Sequence, residues 1–100
     1  MEKLKASFEA IRKACEQFQV KELYVFGSVL TESFKDDSDL DFLVVIGNSF
    51  PKGAFEQYFG LKELLEKTCG RAVDLVSYDA IRNPFFMEEI EKTKKVLYVA

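Results

Sequence analysis

Apolar residues along the chain recur with two periods, and the switches between them mark the elements. Leu4, Phe8, Ile11, Cys15 and Phe18 fall at steps of four and three, the apolar face of a helix running from about residue 2 to 18. Leu23 to Phe26 (LYVF) reads as a short buried strand ended by Gly27. Residues 28–38 keep no sustained period and read as a helical turn followed by a loop. Asp39 to Ile46 is a second strand, and Gly47 to Gly53 (GNSFPKG) is turn chemistry. Phe55, Phe59, Leu61, Leu65 and Cys69 mark a second long helix, stopped by Gly70. Ala72 to Ser77 (AVDLVS) is a third strand, Met87 to Lys95 a third helix after Pro84, and Val96 to Val99 (VLYV) a closing strand.

The resulting order, α-β-β-α-β-α-β, predicts an α/β (α+β) fold with helices packed mainly on one face of a small mixed sheet. Residues 1–100 are enough for one core and too few for two, so a single domain is expected. With 48% hydrophobic residues and ten Phe among them, that core closes without covalent staples. Cys15 and Cys69 lack any metal-binding spacing and read as reduced, buried thiols. The N-terminus, MEKLKASFEA, has no apolar signal segment, and no run approaches the roughly 18 apolar residues of a membrane span. A cytoplasmic protein without membrane contact is the expectation. A net charge of −3 and a pI near 5.0 argue against an extended nucleic-acid surface.

The chain contains no histidine, which removes Ser-His-Asp and Cys-His pairs, His-ligated zinc and an imidazole base together. Chemistry must therefore run on carboxylates, hydroxyls, amines and bound cations. The stretch DDSDLDFLVVI, Asp36 to Ile46, sets acidic residues at the mouth of a core strand, where they are disfavoured. Asp39 and Asp41 are two apart, so on a strand both side chains leave the same face. Like charges that close raise each other's pKa unless a divalent cation compensates, and oxygen ligands suit magnesium, manganese or calcium. An EF-hand beginning at Asp37 is excluded, because Phe42 and Asn48 stand where that loop needs Gly and Glu.

Phe26-Gly27-Ser28 closes the first strand, and ten residues separate Ser28 from Asp39. A glycine there lets the backbone approach a bulky anion, and a following helical turn offers free N–H groups with the Ser28 hydroxyl. Asp74, between Val73 and Leu75 on the third strand, would be costly as a buried lone charge. Beside Asp39 and Asp41 it becomes a third ligand. The structural alternatives are solubilising charge for the aspartates, a hydrogen-bonding role for Asp74 and a helix N-cap for Ser28.

Gly27-Ser28, ten residues, Asp39-Leu40-Asp41 and then Asp74 on a later strand resembles the signature of the polymerase β-like nucleotidyltransferase superfamily. Length and element order are similar to its minimal nucleotidyltransferase branch. The resemblance implies transfer of a nucleoside monophosphate, AMP from ATP, with Mg²⁺ as two ions or Mn²⁺ in its place. It assigns Asp39, Asp41 and Asp74 to the metals and catalysis, and Gly27 and Ser28 to the nucleotide phosphates. It also implies a HEPN-domain protein as partner, with the present chain acting as antitoxin and a partner tyrosine as one acceptor. A homo-oligomer is left open.

Many relatives carry Arg and Gly where this chain has Thr31 and Glu32, which leaves a non-catalytic antitoxin module as the alternative. The remaining apolar clusters have plainer readings. Phe55, Tyr58 and Phe59 are expected in the core or a subunit contact rather than as a base-stacking platform, and Phe85-Phe86-Met87 in the core, with a partner surface as the alternative. Lys92 to Lys95 (KTKK) is expected to shield the last strand from pairing.

Overall fold

The computed structural model describes residues 7–27, 39–47 and 51–100. Its elements are α1 (Phe8–Gln17), β1 (Val20–Phe26), β2 (Leu40–Ile46), α2 (Gly53–Cys69), β3 (Val73–Ser77), α3 (Pro84–Thr93) and β4 (Lys95–Val99), with a 3-10 turn at Tyr78–Ala80 between β3 and α3. The predicted order of helices and strands is the observed one. The strands form one sheet in the order β3-β2-β1-β4. β1 is antiparallel to both β2 and β4, whereas β2 and β3 are parallel.

Alternation along each strand divides the sheet into two faces. Leu23 and Val25 of β1, Leu40, Phe42 and Val44 of β2, and Val73 and Leu75 of β3 point to one side. There they bury against Ile11, Ala14 and Cys15 of α1 and Leu61 and Leu65 of α2. On the other face Phe26 and Leu43 bury against Ile90 of α3, with Tyr24, Val76 and Ile81 packed around them. Two helices thus cover the larger core and the third crosses the opposite face. No helix among the described residues is long and apolar enough to cross a membrane.

Several boundaries move for identifiable reasons. β1 starts at Val20, because Lys21 and Glu22 hide three strand residues in a polar-looking run and a register shift falls beside them. α3 starts at Pro84, since the Asn83 side chain accepts from the N–H groups of Phe85 and Phe86 and proline suits the first helical position. The N-terminal part of the predicted first helix and the predicted turn at 28–38 lie outside the described residues.

The inner face of α2 also differs from the expected one. Gln57, Leu61 and Leu65 are buried, while Phe55 and Phe59 are exposed and stack on each other at 4.6 Å. Gln57 takes the inner position because its Nε2 donates to the Phe18 carbonyl at 2.7 Å, closing the turn in which Gln19 has φ +54°. Tyr58 does pack against the larger core, as expected. Phe85, expected in the core, is 77% exposed, since the first turn of α3 extends past the edge of the smaller core. β4 is an edge strand, and Lys94 before it lies over the Tyr24 ring, 4.3 Å from its centroid, while pairing with Glu91.

Candidate active site

Strand register brings the predicted acidic residues to one end of the sheet. Asp41 lies on β2 beside Phe26 of β1 on one side and Asp74 of β3 on the other. Side chains at matched positions of neighbouring strands leave the same face, so both carboxylates project on the side covered by α3. Asp39 precedes β2 directly and is exposed. Gly27 follows β1 at the same end.

Gly27 has φ +79°, and a methyl group built there would collide with the Asp41 carboxylate. Glycine is therefore required twice, for the backbone turn and for the space. Asp41 itself is half-buried, and its pKa is raised first by burial and then by the charges of Asp74 and Asp39. Both neighbouring carboxylates thus act on Asp41 electrostatically. Asp74 differs from the sequence expectation in one respect: it is exposed, because β3 lies at the sheet edge. The desolvation argued for Asp74 falls on Asp41, in an interior strand. Ser28, with Thr31 and Glu32, lies outside the described residues.

Two side chains of α2 fix the strand that carries Asp74. The Leu40 N–H donates to the Ala72 carbonyl at 3.1 Å, so backbone groups at Ala72 and, by alternation, Asp74 face β2. Those of Val73 and Leu75 face the free edge. There the Val73 N–H donates to Glu66 Oε2 at 3.0 Å and the Tyr58 hydroxyl donates to the Leu75 carbonyl. α2 therefore satisfies the unpaired edge on either side of Asp74. Sequence reasoning missed this role of both residues, since nothing in the helical period distinguishes an edge-capping Tyr or Glu from any other.

The donor set suits a hard divalent cation: carboxylate oxygens only, mutually repelling, with room left by Gly27. Among the described residues no three acidic, thiol or imidazole side chains close on one point tightly enough to hold a metal unaided.

A family model described as polymerase beta, nucleotidyltransferase, matches residues 9–100. A protein of Methanocaldococcus jannaschii, named as a candidate protein adenylyltransferase, is 35% identical over 78 residues, covering 77% of this chain and 76% of its own. The protein adenylyltransferase MntA of Thermococcus cleftensis is 36% identical over 86 residues, 84% of this chain and 79% of its own. A solved structure described as a candidate minimal nucleotidyltransferase is 31% identical, with TM-score 0.77, over 94% of this chain and 92% of that one. Two more distant structures share the fold. One is a toxin–antitoxin pair with AMP-PNP, at 19% identity and TM-score 0.72 over 93% of this chain and 73% of that one. The other is a tri-AMPylated Shewanella oneidensis HEPN toxin in complex with its MNT antitoxin, at 17% identity and TM-score 0.68 over 96% and 72%.

Proposed function

The chain belongs to the polymerase beta nucleotidyltransferase family, and on that premise we propose that it moves AMP from ATP to a hydroxyl, such as a tyrosine's, on a HEPN-domain protein, the hydroxyl oxygen bonding to the α-phosphorus as pyrophosphate leaves and the hydroxyl proton passes to solvent. The observation that carries the reading is the register of Asp41 with Asp74, closed on the other side by Gly27 against the Asp41 carboxylate. The relatives named as adenylyltransferases support AMP as the transferred group. The more distant toxin–antitoxin structures support ATP as donor and a HEPN toxin as acceptor.

In this reading Asp39, Asp41 and Asp74 hold Mg²⁺, which when bound supplies charge at the phosphates and acidifies an attacking hydroxyl. Asp41 is held where ionisation is unfavourable, so its carboxylate gains most from a cation. Gly27 keeps side-chain bulk away from that carboxylate, leaving space for a phosphate at the strand end. The Ser28 hydroxyl, next in sequence, is assigned a hydrogen bond to a phosphate oxygen. Asp74, exposed at the sheet edge, is open to an acceptor on a second protein.

The test is incubation with labelled ATP, Mg²⁺ and a HEPN partner. Label should appear on the partner, and Asp39→Asn, Asp41→Asn and Asp74→Asn should each abolish it while the circular dichroism spectrum stays unchanged. Full labelling by all three variants sinks the enzymatic reading. Tight association without label identifies the chain as a binding module only.

A further inference from the structure

An apolar hollow lies between the end of β1, α3 and the start of β4. Its volume is about 510 Å³, and Gly27 lines it. That places it within the roughly 300–1,000 Å³ range of small-molecule sites. Phe26, Phe86 and Ile90 form its apolar wall, and Glu89 and Thr93 of α3 line it beside them. Phe26 and Phe86 meet edge to face, centroids 6.1 Å apart and planes at 72°, so each ring holds the other in place. Phe86 nonetheless stays 40% exposed, which leaves a fixed aromatic surface in a concave site.

Two lysines, Lys92 and Lys95, also line the hollow. Lys92 is paired with Glu88 at 3.1 Å, and Lys95 opens β4 in register with Val25, whose side chain leaves the opposite face of the sheet. An apolar, aromatic hollow opening on a glycine that abuts an acidic cluster matches a nucleoside triphosphate. The flat base enters the hollow and the phosphates remain at Gly27. A protein acceptor fits less well, because Asp74 lies on the far side of β2 in the order β3-β2-β1-β4.

We propose that this hollow seats the base of the donor nucleotide against Phe86, an assignment that rests on the nucleotidyl transfer proposed above.

Equilibrium titration in Mg²⁺ with two probes, ATP and inorganic tripolyphosphate, tests the assignment. Phe86→Ala should weaken ATP binding about tenfold, the loss of one aromatic stack, and leave tripolyphosphate binding unchanged. Phe86→Tyr should retain both. Thr93→Trp, at an exposed position lining the same hollow, should block ATP and spare tripolyphosphate. If either Phe86→Ala or Thr93→Trp binds ATP as tightly as the wild type, or loses both ligands equally, the base does not lie here. Wild-type tripolyphosphate and ATP binding persisting in that outcome would leave the transferase reading standing. Wild-type protein that binds neither probe overturns both proposals.

Discussion

Asp41 carries a cost that no other residue of its strand carries. Folding raises its pKa above the ordinary 3.8, so through that window the native chain holds a proton that the unfolded chain has released. Its contribution to stability is therefore best below the ordinary value and is lost as pH rises through the folded pKa. Asp41→Asn removes the charge and keeps the shape. It should melt at a higher temperature than wild type at pH 7, by a margin that shrinks as pH falls towards 4, while losing transfer. Equal melting temperatures across that range would refute the repulsion. Gly27→Ala is the steric counterpart. Its positive φ costs about 1–2 kcal/mol for a side-chain residue, and displacement of the Asp41 carboxylate should lower transfer about a hundredfold. Asp39, Asp41 and Gly27 were legible in the sequence because each contradicts the habits of a core strand. The exposure of Asp74 was not, since edge or interior position depends on strand order, which periodicity does not encode.

Elements meet the chemistry through β3, an edge strand whose position is set from outside the sheet. The Tyr58 hydroxyl and the Glu66 carboxylate hold backbone groups on either side of Asp74, and both come from α2. Losing one such hydrogen bond costs about 1 kcal/mol, too little to unfold the chain. The consequence should appear in the rate instead. Tyr58→Phe and Glu66→Ala are expected to lower kcat several-fold with KM for ATP unchanged, because Gly27 and Asp41 sit on β1 and β2 and are untouched. Glu66→Gln, which still accepts from the Val73 N–H, should restore the rate. Hydrogen exchange at the Val73 amide should quicken in Glu66→Ala alone of these two Glu66 variants. A raised KM with normal kcat would assign these residues to nucleotide binding and remove them from strand positioning. The helical period located α2 well but misjudged its inner face, because a buried Gln57 that caps a turn looks polar and two exposed phenylalanines look buried.

At the scale of the molecule, the sheet separates two cores of unequal size. The side covered by α1 and α2 buries thirteen residues in one cluster, whereas the side covered by α3 buries Phe26, Leu43 and Ile90. Element order and type were readable from the two hydrophobic periods. The placement of α3 on the second face was not, since β3 and β4 are opposite edges and the helix between them could cross either face by periodicity alone. The imbalance predicts two levels of stability. Leu65→Ala and Ile90→Ala each remove a fully buried aliphatic group and should each cost roughly 2–5 kcal/mol locally. Their reach should differ. Leu65→Ala weakens the core that organises both long helices, so native-state hydrogen exchange should accelerate throughout. Ile90→Ala should loosen α3 and β4 while α1, α2 and β2 keep their protection. Phe26 and Gly27 border the same small core, so Mg²⁺ with ATP should restore protection to α3 in the wild type and less in Ile90→Ala. Uniform acceleration in both variants would mean that the sheet couples its faces into one cooperative unit, and that the face covered by α3 has no independent freedom to respond to a nucleotide.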